Sequence, residues 1–349
     1  MPKETLRLMT PGPVPFTAGL FPEGAVSHTD PAFRQTMRQV QDALGRVFGT
    51  SGFTAALTGS GSWGAEVGMM NLAGPNSKVL VLTGGLFGQR LAEMARLRGA
   101  LVHTVELDEE GKVPWGLLGE ALRTFEPDLF AAVHVDTSTG VVVPVQDVLE
   151  FVRAASPYTL TLVDTVASAG NIPLALDGLA DYAFTASQKG LEAPAGLAPI
   201  AVSARGMAHV RPASWYGNLK RIWGFWEKGE YHHTPAVPLI EVLGKALTRV
   251  LQEGISERER RSREAYAFLR EALKKDFDFP PATVAAPTVA VLYPKREEPS
   301  VISLRLKEAG FHVAPGIGPT AGKAIRIGLF GAQAHMVEDL TEALLGTLA

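Results

Sequence analysis

The stretch Leu160–Gly190, LTLVDTVASAGNIPLALDGLADYAFTASQKG, decides the fold. It holds the ends of two short apolar runs. Tyr158 to Val163 stops at Asp164, and Tyr182 to Ala186 stops at Ser187-Gln188-Lys189-Gly190. Runs of this length, rich in Val, Leu, Tyr and Phe and without helical periodicity, read as buried strands of a parallel sheet. Ligands of open α/β sheets bind beyond the carboxyl ends of the strands. An acid at one strand end and a lysine at a nearby one therefore face the same crevice.

That pair suits a pyridoxal phosphate site. The cofactor needs an amine for covalent attachment and an anion to keep its ring nitrogen protonated. On these two residues alone a structural ion pair at the sheet rim explains the pattern equally well.

Working outward, strand, loop and helix repeat. Phe53–Leu57 leads into Thr58-Gly59-Ser60-Gly61-Ser62-Trp63-Gly64, a Gly/Ser loop that opens a helix running through Leu72. Unpaired N–H groups at such a helix start attract a phosphate. The glycines formally satisfy the dinucleotide fingerprint, but the next strand, Val79–Leu82, ends in Thr83-Gly84-Gly85 with no acid for a ribose, so phosphate binding is the better reading. That strand leads to a helix from Gln89 to about Arg98, with Phe87 in the loop before it as a core residue or a ring stacking on a planar ligand. Phe130–Val135 leads through Asp136-Thr137-Ser138-Thr139-Gly140 to a helix near Val145–Ala154. Leu197–Ser203 is one more strand. Strands alternating with helices predict βαβ units.

Towards the N-terminus, Arg7–Pro15 (RLMTPGPVP) is too rich in Pro and Gly for a helix. Asp30-Pro31 reads as an N-cap and first helical residue, opening a helix through Val47. His28, just before it, is a loop histidine or part of a substrate pocket. Residues 212–236 are aromatic-rich and broken by glycines, a composition common at subunit interfaces. His232-His233 are adjacent in an extended segment and point apart, so no metal site is expected. Beyond Pro238 one helix runs to a glycine cap at Gly254. A second, Ser256–Lys275, carries so many charges of both signs that it reads as a solvated helix laced with ion pairs. Strands Thr288–Tyr293, His312–Pro315 and Ile325–Leu329, with helices near Ser300–Ala309 and His335–Leu348, predict a small α+β domain. Arg326 stands in one of these otherwise apolar strands, and arginine is rarely buried without a partner.

Composition narrows the class. The 349 residues allow a large domain with a smaller partner. A net charge of −3 gives no reason to expect nucleic acid. No apolar run reaches membrane-spanning length and no leader pattern is visible, so a cytoplasmic protein without a membrane partner is expected. The absence of cysteine removes disulfides, thiolate metal sites and a cysteine nucleophile together.

Taken in order, TPGPV, TGSGSWGAE, GGLFGQR, DTSTGVV, LVDTVASAGNIPL, SQKGLEAPAGLA, EYHHTPAV and KAIRIGLFG resemble the class V pyridoxal-phosphate-dependent aminotransferases of the alanine–glyoxylate and serine–pyruvate type. The resemblance spans essentially the whole chain. It implies a fold-type I α/β enzyme and a homodimer. The large domain (17–254) would surround a mainly parallel seven-stranded sheet; residues 1–16 and 255–349 would form an N-terminal segment and the small domain. It further implies Lys189 as the cofactor-binding, catalytic lysine and Asp164 as the partner of the ring nitrogen. Phe87 falls where an aromatic ring stacks on the cofactor, and Thr137 where a hydroxyl meets the ring oxygen. Gly61, Ser62 and Gln188 match phosphate-binding positions, and Tyr231 and Thr234 positions that reach the phosphate from the other subunit. Arg326 matches the residue holding the substrate carboxylate, with Gly12 and His28 on the substrate side.

The implied reaction moves the amino group of alanine or serine to pyruvate or glyoxylate by a ping-pong route. An aspartate or phosphoserine donor is the nearer alternative and a nicotinamide oxidoreductase the remoter one. Thr29 stands where a phosphoserine enzyme is expected to place arginine, which favours a small neutral donor.

Overall fold

The computed structural model describes residues 6–348 apart from 18, 23 and 25. Seven strands form the main sheet: β1 (Phe53–Thr58), β2 (Lys78–Thr83), β3 (Leu101–Glu106), β4 (Leu129–Val133), β5 (Leu160–Asp164), β6 (Tyr182–Phe184) and β7 (Leu197–Val202). Every residue of β4, β5, β6 and β7 is buried, which requires cover on both sheet faces. Their order is β1-β7-β6-β5-β4-β2-β3. The pairs from β6 to β3 are parallel, whereas β7 runs antiparallel to both its neighbours. The fold is thus α/β of the expected kind, with one reversed strand. Register aligns Val133 with Asp164 and Asp164 with Phe184, so the carboxyl ends of β4, β5 and β6 lie side by side.

Helix α1 (Pro31–Phe48) starts as read: the Asp30 carboxylate accepts from the Ala32 N–H, and Gly49 ends the helix with φ +60°. Helix α2 (Gly61–Leu72) follows β1 directly. Helix α3 (Leu86–Leu97) begins earlier than the expected Gln89, so Phe87 sits in a helical first turn rather than a loop. The edge strand β3 and the helix Trp115–Phe125 are additions to the sequence reading. In β3 most residues are exposed or half-buried, and the run LVHTVE is correspondingly mixed in polarity. Residues 212–236 are less irregular than expected. Asn218 caps a short helix, Leu219–Trp223, which continues as a π-helical turn, Gly224–Lys228.

Helix α4 (Val237–Glu253) ends at Gly254, and α5 (Ile255–Leu273) starts at once. A second, antiparallel sheet contains β8 (Phe277–Asp278), β9 (Val289–Pro294), β10 (Ala314–Pro315) and β11 (Ile325–Gly328), in the order β8-β9-β11-β10. Near the C-terminus, Gly331–Met336 is 3-10 helix and the α-helix spans Val337–Leu348. The main core draws on residues from Leu20 to Leu247, and the second on Met9 and residues from Ala265 to Leu344. We propose on this ground a division at Gly254, with residues before 17 joining the second unit; residues 1–5 lie outside the described chain. Met9 belongs to that second core because Arg7–Leu8 pairs parallel with Phe311–His312. Among the described residues no helix is long and apolar enough to cross a membrane.

Candidate active site

A cavity of about 220 Å³ opens beyond the carboxyl ends of the central strands. Asp164 and Lys189 both line it, as the two strand ends imply. Asp164 is the last residue of β5, and one carboxylate oxygen accepts from the Val166 N–H at 2.7 Å. Its other oxygen makes no hydrogen bond among the described residues. Burial, opposed by that N–H and by the Lys189 charge, pushes the carboxyl up to about 7. Lys189 lies in the loop after β6. Burial and the nearby Arg326 charge, against the pull of Asp164, bring its amine down to about 8. The Nζ donates to the Pro11 carbonyl, so the amine rests against the N-terminal segment rather than on Asp164. Gly12 also lines the cavity, and a Cβ there would lie 2.5 Å from the lysine side chain. Its φ of +117° favours glycine, and any side chain there would displace the lysine.

The phosphate end is legible in the backbone. Ser60 precedes α2 without capping it through its side chain, so the first turn keeps free N–H groups at Gly61 and Ser62 on the cavity wall. Gln188 lines the same space, and its Oε1 is buried without a partner among the described residues. Phe87 and Thr137 complete the set that the cavity brings together.

Arg326 is buried in β11 but is not part of the cavity lining. Its Nε donates to the Pro315 carbonyl at 2.8 Å and its Nη1 to the Thr137 carbonyl at 3.0 Å. It makes no ion pair among the described residues, and its charge still reaches Lys189. His28, Tyr231 and Thr234 stand apart. His28 packs 5.9 Å from Tyr231, whose side chain is 70 % exposed, and within one chain none of the three lines the cavity.

Two contributors escaped the sequence reading. Asp136 is a buried carboxylate whose oxygens accept from the Phe87 N–H at 3.0 Å and the Ser138 N–H at 2.9 Å. The Ser138 hydroxyl in turn accepts from the Leu86 N–H at 2.9 Å. The start of α3, and with it Phe87, is therefore fixed from the neighbouring strand end. An acid directly after an apolar strand was the available signal. Arg90 lines the cavity with its guanidinium 5.0 Å over the Phe87 ring.

The profile of the aminotransferase class-V family matches residues 26–320. The chain is a class V aminotransferase. The aminotransferase is 30 % identical over 365 residues to the alanine–glyoxylate aminotransferase of Callithrix jacchus, covering 97 % of this chain and 87 % of that relative. It is also 30 % identical to the (S)-ureidoglycine–glyoxylate transaminase of Bacillus subtilis, covering 93 % and 85 %. In structure it superposes on an alanine–glyoxylate aminotransferase from Nostoc sp. with a TM-score of 0.93 and 32 % identity, over 100 % of this chain and 97 % of that one. The enzyme is a transaminase and its cofactor is pyridoxal phosphate. The residues present fit that group: a buried amine, a carboxylate with one uncommitted oxygen, an open helix N-terminus and an orphaned Gln188 oxygen share one cavity.

Proposed function

We propose that the aminotransferase takes its amino group from a small neutral amino acid, alanine or serine, and delivers it to glyoxylate or pyruvate. The observation that carries the residue roles is the pairing of Lys189 and Asp164 on one cavity wall, with a depressed amine and an elevated carboxyl. When bound, pyridoxal phosphate supplies an electron-accepting ring and the carbonyl that carries the amino group from donor to acceptor. Asp164 would hold the ring nitrogen with its uncommitted oxygen, and a positive charge there would favour the ionised carboxylate. Gly61 and Ser62 N–H groups and Gln188 would hold the phosphate, Phe87 would stack on the ring, and Thr137 would bond its hydroxyl. Lys189, lowered towards neutrality, moves the proton at the substrate Cα; a positioned base of this sort contributes about 10²–10⁴-fold. Arg326 takes the substrate carboxylate with the N–H groups it does not spend on Pro315 and Thr137.

Glyoxylate is favoured as acceptor because both relatives carry it in their names. A neutral donor is favoured because Arg90, the one arginine lining the cavity among the described residues, is engaged over Phe87. The deciding experiment follows the cofactor's visible absorbance when alanine, serine, aspartate or phosphoserine is added alone. Conversion by alanine or serine is expected; conversion by aspartate or phosphoserine only would overturn the donor assignment.

We also propose a homodimer in which Tyr231 and Thr234 reach the partner's phosphate site. Supporting it, Trp215, Tyr216 and Tyr231 are large exposed aromatic residues, and none of them lines the cavity of its own chain. Mixing inactive Lys189→Ala with inactive Tyr231→Ala should restore activity, because heterodimers then hold one intact site.

A further inference from the structure

The charge pattern of helix α5 predicts a solvated helix, yet Arg258 in its first turn is 1 % exposed. Its five N–H donors all find acceptors. The Nε donates to the Gly170 carbonyl at 2.7 Å. One terminal nitrogen donates to Glu192 at 3.0 Å and Glu253 at 2.7 Å. The other donates to the Gly190 carbonyl at 2.9 Å and the Asn171 side chain at 3.2 Å.

These acceptors belong to the two loops that matter. Gly190 follows Lys189 directly, and Gly170-Asn171 closes the hydrogen-bonded turns that start just after Asp164. The loops meet backbone to backbone: a Cβ on Gly190 would lie 2.3 Å from the Ala169 carbonyl oxygen, and one on Gly170, at φ +79°, 2.8 Å from that of Gly190. No side chain fits between them, and the guanidinium bonds a carbonyl of each loop from the side. The same cluster reaches the end of β11. Glu192 accepts from the Ala332 N–H at 2.7 Å, and Asn171 bonds Ser262, whose hydroxyl donates to the Leu329 carbonyl at 2.7 Å.

We propose that Arg258 is a positioning residue that fixes the Lys189 loop against the Asp164 loop and ties both to the strand carrying Arg326. It acts through the geometry of its fork and touches no substrate. A lysine would keep the charge, but its single nitrogen cannot span both loops. The inference rests on the roles proposed above for Lys189 and Asp164.

The test uses Arg258→Lys in the full chain, loaded with pyridoxal phosphate and assayed well below its melting temperature. Expected are a fall in kcat of at least tenfold with KM nearly unchanged, and an upward shift of the Lys189 titration. The shift is upward because a loosened loop admits water to an amine whose depression comes first from burial. The titration is read without turnover, from the pH dependence of borohydride-stabilised cofactor attachment at Lys189 followed by peptide mass analysis. A lower melting temperature with unchanged kcat and unchanged Lys189 titration would overturn the proposal. Should Arg258→Lys fail to fold, Glu192→Gln removes one anchor at constant shape. It should move both readouts in the same direction by less, and a null result there counts equally against the proposal. Attachment at a lysine other than 189 in the parent enzyme would instead overturn the assignment of Lys189, separately from Arg258.

Discussion

Arg258 and Arg326 are two buried arginines from beyond Gly254 that bond loops next to strands of the large sheet. They differ in how far their hydrogen-bonding capacity is met. Arg258 spends all five N–H donors, two of them on carboxylates. Arg326 spends two, both on backbone carbonyls, and makes no ion pair among the described residues. A buried charge without its counter-ion is costly to maintain. Burial accordingly lowers the pKa of Arg326, with Asp136 opposing. A saturated buried cation holds the fold in place, whereas an unsaturated one has N–H groups left for an anion, which is the role proposed for Arg326.

The contrast is tested most severely at Asp164, a buried charge of opposite sign with one uncommitted oxygen. Its folded pKa of about 7 lies above the unfolded value near 3.8, so between these limits the native state holds a proton that the unfolded chain has lost. Its contribution to the stability of the cofactor-free protein therefore falls as pH rises from about 4 through 7. Asparagine does not titrate. Melting curves of cofactor-free Asp164→Asn should rise above those of the parent over that window, by up to about 4 kcal/mol at ~1.4 kcal/mol per pKa unit. The gap should be constant above the window. A gap that closes as pH rises would break the argument.

Arg258→Met should cost about 3 kcal/mol in denaturant melts, the low end for a broken buried pair, because Glu192 and Glu253 keep some contact with water. Arg326→Lys should behave in the opposite manner. Both half-reactions should weaken by roughly 2 kcal/mol, the scale of hydrogen bonds to a charged group, while the melting curve stays nearly in place. If Arg326→Lys loses stability and keeps its kinetics, the two arginines are alike and the contrast fails. Arg260, on the same helix as Arg258 but exposed between Glu257 and Glu264, marks the floor. Arg260→Ala should change neither melting nor turnover measurably, since exposed pairs are weak.

Arg258 also shows where sequence reading stops. Within ISERERRSREAY, Arg258, Arg260, Arg261 and Arg263 are alike in composition; helical spacing puts Arg258 on the stripe of Ser262, Ala265, Tyr266 and Leu269 but does not name its partners. Arg260 and Arg263 bond glutamates one turn away, as the charge pattern implies, whereas the partners of Arg258 include Gly170, Asn171, Gly190 and Glu192, far away in the chain. Asp136 was missed for a related reason, since its Phe87 partner comes from another strand end. His28 is suggested by its place before a helix and Tyr231 and Thr234 by the family resemblance, and one chain alone brings none of them to the cavity.

What the sequence determined by itself is local and periodic: apolar runs that must be buried as strands, the polar residues at which they stop, and the Asp30-Pro31 start of a helix. Because strands of a parallel sheet end on a common edge, such stops suffice to bring Asp164 and Lys189 to one crevice. Only the tertiary structure decided which of the buried charges are satisfied. That depends on acceptors supplied by distant segments, and a chain read in order carries no record of the distances between them. Arg258 and Arg326 are the same residue type in one sequence; their surroundings alone make one an anchor and leave the other open.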